Sequence, residues 1–497
     1  MRAAWWLAAL AGAGAALVLL YPDSYQQDGG HHFLGARWAW AHPELFVNVW
    51  GRPLFTFLYS FPAQLGYPAA KYFTVLICLV TAWQTWRLAQ DLGLERAELA
   101  IPLLALQPSF LLLASETMTE PLFALVFAVA LRLHVGGRVR AGMIVASLLA
   151  LVRPEGFVLG VLWGVWVLLD RRDARPWWRR LPSTLWLASG TLAWWLVAFL
   201  ITRDPLYILH SWPANWSATS ATYGTGSFWD YWRHRAEIVG RWLSIPFLVG
   251  LAVLLLRRRF GMLTSAILTL FVVHSVLRLY GLMGTAGYPR YFVCVAPAIA
   301  LVTLVGWNTI AGWLGTIAEQ VSPIGGRGRT IGGPLGGISG WFRPFRGVGA
   351  ALTVVVLAVS AKDALLYVDA MPWARDARAV SEMYGWFRQH ERPVSRLIWS
   401  QAYMCIQFDC DPHYGLALTG DKAANLALLR DSPRGTLVFW DRETGPEWYG
   451  MEPEDFAAAG YVPLRSGDYM IQGLFREKVW SGTEDPRHQV LSLFYKE

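Results

Sequence analysis

The chain of 497 residues is 55% hydrophobic and only 16% charged, with a mean hydropathy of +0.34. A soluble domain of this size could not hold so much apolar surface in water, so the composition excludes an ordinary soluble enzyme and predicts an all-α polytopic membrane bundle. The net charge of +8 needs no nucleic acid to explain it, because the Lys and Arg residues gather in loops between apolar runs, as the positive-inside bias requires.

Apolar runs near 3–21, 69–88, 98–114, 119–134, 140–153, 156–170, 183–202, 240–256, 261–280, 289–306 and 349–366 predict about eleven helices of near-spanning length. Many of the 28 Trp residues flank these runs, as at Trp5-Trp6, Trp177-Trp178 and Trp194-Trp195, where an amphipathic ring suits the headgroup layer. Arg2 and the run Ala3 to Leu20 read as a retained first helix rather than a cleaved signal peptide, since no small-x-small pattern follows at Tyr21-Pro-Asp-Ser. With the N-terminus inside, the connections holding Arg87/Arg96, Arg138/Arg140, Arg171 to Arg180, Arg257 to Arg259 and Arg327 to Arg346 all face the cytoplasm. The outer side then receives 22–68, 115–118, the turn at Arg153, 203–239, 281–288 and everything after about 367.

Loop 22–68 holds Pro43, Pro53, Pro62 and Pro68, and its apolar piece from Leu54 to Leu65 is too short to span, which predicts one or two interfacial helices. Residues 1–306 thus form a transmembrane region with external loops 22–68 and 203–239. A Gly- and Arg-rich segment over 307–348 reads as a flexible cytoplasmic linker, followed by a last span at 349–366. From 367 to 497 the composition becomes that of a small extracytoplasmic α/β domain, with strands at Arg396 to Ser400 and Thr436 to Trp440 and helices at Arg375 to Gln389 and Pro453 to Ala459. Cys405 and Cys410 fall on the oxidising side and are candidates for a disulfide, whereas Cys78 and Cys294 lie inside helices.

Charged residues recur at the outer ends of predicted helices, where charge is costly unless solvated, paired or used. The first group is Tyr21-Pro-Asp-Ser-Tyr-Gln-Gln-Asp-Gly-Gly-His-His-Phe33. Either Asp23 or Asp28 can serve as general base there, with His31 and His32 available to phosphate; either carboxylate can equally cap the following helix. In Ser115-Glu-Thr-Met-Thr-Glu-Pro121, Glu116 and Glu120 can bind acceptor hydroxyls or a cation or take a second proton-transfer role, which makes Glu120 a catalytic candidate, and Glu120 can also cap the following helix. Arg153 in Leu151-Val-Arg-Pro-Glu-Gly156 can pair with Glu155 or with Glu116, or its fork can grip a phosphate diester, and Glu155 is also a candidate for acceptor or sugar contact. Arg290, in Gly287-Tyr-Pro-Arg-Tyr-Phe-Val-Cys-Val-Ala-Pro297, begins a long apolar helix beside Tyr288. In the external loop 203–239, His210 and Trp212 are candidates for sugar or acceptor contact, or for an interfacial anchor.

Taken in order, these residues resemble the GT-C superfamily of integral-membrane glycosyltransferases, in particular bacterial members grouped with the protein mannosyltransferases and the aminoarabinose transferases. The resemblance rests on Asp28 in the first external loop, Thr119-Glu120-Pro121, Arg153-Pro154-Glu155, Arg290-Tyr291 with Pro297, and the region of His42-Pro-Glu and Trp50-Gly-Arg-Pro-Leu-Phe. It covers about residues 1–306. It implies inverting transfer of a sugar, such as mannose or another hexose, from a polyprenyl-phosphate carrier to an extracytoplasmic lipid, glycan or protein acceptor at a bacterial inner membrane. Asp28 would be the base, with Arg153 or Arg290 near the carrier phosphate. Many relatives carry paired acidic residues where this chain has Asp28-Gly29-Gly30, so the base stays open between Asp23 and Asp28, no metal ligand is assigned and no cofactor is firmly implied, a divalent cation included. A transporter or flippase of a lipid-linked saccharide is the alternative; it would place charges through the depth of the bundle, whereas here they sit at one rim.

Overall fold

The computed structural model describes residues 2–22, 27–170, 174–213, 216, 224–257, 261–321, 343–370, 376–390, 392–413, 416–442, 444–471 and 487–497. Every apolar run read from the sequence is helical. Among the described residues, five helices are long and apolar enough to cross a membrane by themselves: Arg2–Leu20, Trp177–Thr202, Met262–Tyr280, Pro289–Trp313 and Ala351–Ala370. Shorter apolar helices lie at Val139–Leu151, Glu155–Leu169 and Ser244–Leu256.

The segment 98–114 is two helices rather than one, Ala100–Ala105 and Pro108–Leu113. Pro108 lacks an N–H and pushes the preceding residue out of the helical region; Gln107 accordingly sits at φ −70° and ψ 119°. Its amide then donates to the carbonyl of Ala296 at 3.0 Å, so the break is a junction between helices.

The innermost helices are Thr119–Val135 and Ala296–Val321, whose Phe123, Phe127, Leu301 and Val302 are buried. Close helix approach in a membrane depends on small residues. Helix Ser244–Leu256 meets Ala296–Val321 at Gly250 and Gly306, where a Cβ on Gly250 would overlap the carbonyl of Val302 and one on Gly306 that of Pro246. The latter helix continues past Gly306 to Val321, and the last helix runs over Arg343–Ala370, so the Gly-rich stretch read as a linker is helical at its start; 322–342 lie outside the described residues.

Loop 22–68 forms helix Gln27–Trp38, a 3-10 turn Pro43–Val47, helix Pro53–Tyr59 and a 3-10 turn Pro62–Leu65. A Pro opens each of the last three, pre-setting φ where a missing N–H costs nothing.

Among the described residues the C-terminal domain is built on a five-stranded sheet of order β2-β1-β3-β5-β4. Here β1 is Arg396–Trp399, β2 Leu416–Ala417, β3 Thr436–Asp441, β4 Tyr461–Ile471 and β5 Arg487–Lys496. β1 is parallel to β2 and β3, and β5 is antiparallel to β3 and β4. Central β3 is buried along its whole length, as expected for a strand covered on both faces. Cys405 and Cys410 are bridged. This domain docks on the first external loop: a Cβ at Gly30 would meet that of Ala402 at 2.9 Å, and Arg37 pairs with Asp409 at 3.2 Å.

Candidate active site

Four separate segments bring charge to one cavity of about 350 Å³ at the rim of the bundle, lined by Asp28, His32, Trp50, Arg52, Arg153, Glu155, His274, Tyr288, Arg290 and Tyr291 among others. Helix Gln27–Trp38 presents Asp28 from its first turn. Thr117 Oγ1 donates to the Gly29 carbonyl at 2.7 Å, which ties this helix to the Ser115-to-Pro121 hairpin carrying Glu120. Arg153 and Glu155 occupy the tight connection into helix Glu155–Leu169. Gly156 makes that turn feasible, since a Cβ there would overlap the backbone of Leu149 and Ala150. Arg290 sits in the 3-10 turn Pro289–Val295.

The charges form an alternating chain. Asp28 Oδ2 lies 2.6 Å from Arg290 Nη2. Arg290 Nε lies 3.6 Å from Glu120 Oε1, and Glu120 Oε1 lies 2.8 Å from Arg153 Nη1. Arg153 continues to Glu155 Oε1 at 2.8 Å, and His274 Nε2 approaches the same oxygen at 3.6 Å. Glu120 is fully buried and is held by charge rather than by directed hydrogen bonds, whereas Arg153 donates to Glu155 and to Thr119 Oγ1. Buried charges persist only when compensated this way.

Asp28 is the anion left open to the cavity, its side chain 45% exposed. The surrounding burial would raise its carboxyl pKa, but the Arg290 charge and hydrogen bond outweigh this and hold it below the ordinary value. Asp28 is therefore ionised at neutral pH. Burial lowers His31 and takes His32 well below its usual value, the latter helped by the Arg52 cation, so both imidazoles are neutral there. His32 stacks on Trp50 at 4.6 Å and lines the cavity. His31 Nδ1 instead meets the Gln27 carbonyl at 2.9 Å, and its ring lies 5.4 Å from Trp399 of the C-terminal domain.

Arg52 is a cavity residue that the sequence reading did not single out. Its Nη1 donates to the Val49 carbonyl at 3.1 Å and its guanidinium lies 4.5 Å over the Trp216 ring. Among the described residues no carboxylate pairs with it, and its buried Nε has no hydrogen-bond partner. Burial, then the Arg153 charge, bring it down to about 10, still protonated at neutral pH. Its backbone is at φ 62° and ψ 95°, a strained conformation that the Gly51 and Pro53 flanks must sustain.

The other predicted residues lie elsewhere or outside the description. Glu116 is turned away from the cavity and sits 3.6 Å from the fully buried Lys71 ammonium, which also donates to the Tyr21 carbonyl at 2.6 Å. His210 pairs with Asp204 at 2.7 Å on the exterior, and Trp212 packs edge-on against Trp216 at 5.2 Å. Tyr288 lines the cavity with its ring 5.0 Å from the Arg290 guanidinium. Asp23 lies outside the described residues.

A bundle of apolar helices, a loop over 22–68 folded into short helices, and a sheet domain docked upon it make up a fold that is found among solved structures. Among solved structures the chain is similar to ArnT from Cupriavidus metallidurans bound to undecaprenyl phosphate, with a TM-score of 0.62 and 14% sequence identity over 98% of this chain and 97% of that one. Against ArnT from the same organism in the apo state the TM-score is 0.58 at 14% identity, covering 99% and 98%. No protein-family model and no curated protein matches the chain by sequence.

Proposed function

We propose that this protein is an inverting glycosyltransferase that moves a sugar, a hexose such as mannose among the candidates, from a polyprenyl-phosphate carrier to an extracytoplasmic lipid, glycan or protein. The observation that carries the reading is Arg52, a half-buried guanidinium whose buried Nε has no hydrogen-bond partner and which makes no ion pair with a carboxylate among the described residues, facing the same cavity as ionised Asp28. A guanidinium with an N–H left unbonded by the protein in a polar cavity suits a ligand anion. The fold supports a carrier of this class, since a similar structure was obtained with undecaprenyl phosphate. A basic bias in the connections opposite this rim favours the outer face of a bacterial inner membrane.

In mechanism, Asp28 accepts a hydrogen bond from the acceptor hydroxyl and orients its oxygen toward the anomeric carbon. The new C–O bond forms as the bond to the carrier phosphate breaks, and the proton leaves through Asp28. The departing phosphate gains charge, which Arg52, Arg290 and Arg153 along the cavity wall stabilise. An adjoining apolar pocket of about 240 Å³, lined by Trp229, Tyr231, Phe247, Phe271 and Ile299, suits an isoprenoid chain. Its Tyr231 ring is 5.8 Å from the His274 ring of the polar cavity.

The test is release of polyprenyl phosphate by purified protein in detergent, offered a panel of polyprenyl-phosphate sugars and acceptors. Release that is lost in Asp28→Asn establishes the transferase. Binding of the carrier with no turnover across the panel would give the molecule to the transporters instead.

A further inference from the structure

Outside the cavity, the seam between the first external loop and the C-terminal domain gathers a second set of ligating groups. His42, Glu44 and His413 each offer one ligand atom, and these atoms all lie within 4.8 Å of one another. The two imidazoles stack with centroids 4.3 Å apart and planes 19° from parallel. A further carboxylate stands beside them: Asp411 Oδ2 is 2.7 Å from His42 Nε2, and both side chains are only 12% exposed.

We propose that His42, Glu44 and His413 form a zinc site that clamps the C-terminal domain onto the loop carrying Asp28. Two imidazoles and a carboxylate are a borderline donor set that selects zinc over calcium or magnesium, which take oxygen alone. Tetrahedral ligands on zinc stand about 3.4 Å apart, from bonds of about 2.1 Å, so binding turns the two stacked rings out of their parallel arrangement until a nitrogen of each faces one point beside Glu44. Asp411 supplies the carboxylate that orients a metal-bound imidazole. The backbone is arranged for the purpose on both sides. Pro43 starts a 3-10 turn immediately after His42 with Glu44 in its first turn. On the other side Asp411 Oδ1 accepts from the His413 N–H at 2.9 Å, just beyond the Cys405–Cys410 disulfide. The site joins the loop over 22–68 to the C-terminal domain, His42 and Asp411 being 369 residues apart, next to the Arg37–Asp409 pair in the same seam. It is distinct from the proposed transfer site and stands whether or not that reading holds.

The experiment uses the full chain in detergent, without a polyhistidine tag, stripped with a chelator and titrated with zinc. One zinc per chain is expected, with a rise in thermal midpoint on addition and with the intense visible absorption of four-coordinate cobalt when cobalt replaces zinc. His413→Ala, at an exposed position, and Glu44→Gln should each weaken zinc binding by at least about tenfold while leaving the midpoint of the stripped protein unchanged. No bound zinc and no cobalt band, or one-to-one binding unaltered in both variants, would overturn the site.

Discussion

Asp28 Oδ2 and Arg290 Nη2 are 2.6 Å apart, although 262 residues separate them, and this pair joins the first external loop to the start of the innermost long helix. The contact makes Asp28 an ionised and oriented group rather than a strong base. Its replacement by Asn keeps the shape and removes the charge. Transfer should fall about a hundredfold or more, the range for loss of a positioned proton acceptor, with carrier binding retained. Single-turnover release of polyprenyl phosphate separates the two effects.

The same pair sets a pH dependence. Arg290 holds the Asp28 carboxyl below its ordinary value against the opposing effect of burial. In Arg290→Gln only burial remains of these two, so the Asp28 pKa rises. The active form is the carboxylate, so activity is lost as pH falls through that pKa. The acid limb of the kcat/KM profile should therefore sit below the normal carboxylate range in the wild type. In the variant it should move upward by about one to three pH units, the amount an adjacent Arg contributes. An unmoved acid limb would remove Asp28 from the rate-limiting proton step.

Arg52 predicts a different signature. A guanidinium committed to the carrier phosphate acts by charge and by its planar fork. Arg52→Gln should raise the donor KM by about tenfold or more, and Arg52→Lys, which keeps charge without the fork, should recover part of it. A KM unchanged in both variants would leave the phosphate to Arg290 and Arg153.

The rim of charges was legible because Asp28, Glu120, Arg153 and Arg290 interrupt apolar periodicity at helix ends, and the membrane makes such interruptions conspicuous. Arg52 gives no such signal, being one cation in a short interfacial stretch between Gly51 and Pro53; only the likeness of Trp50-Gly-Arg-Pro to the family pattern pointed there. Glu116 and Glu120 look equivalent in sequence, four residues apart in one hairpin. Their separation comes from Lys71, which nothing in the apolar run over 69–88 singles out but which is fully buried against Glu116. The helix break at Gln107 follows from Pro108, yet hydrophobicity alone runs straight through it. His42 and His413 lie in different domains, so their meeting required the docked fold.

Gly306 carries the last prediction, which concerns the scaffold that holds the site in place. The helix whose start bears Arg290 packs on Ser244–Leu256 through Gly250 and Gly306, and the backbones meet with no side chain between them. A methyl at Gly306 would overlap the Pro246 carbonyl, backbone that cannot rotate aside. Gly306→Ala must then separate the helices, at a cost of about 1–3 kcal/mol, the usual penalty for overpacking, and should lower the thermal midpoint in detergent. Gly312 lies six residues further along the same helix and has nothing within 4 Å of an added Cβ. Gly312→Ala should therefore leave the midpoint unchanged or raise it slightly, since Ala is the better helix former by about 1 kcal/mol. Equal effects at the two positions would mean that the helices do not meet at Gly306 as closely as the fold requires, and would loosen the placement of Arg290 beside Asp28.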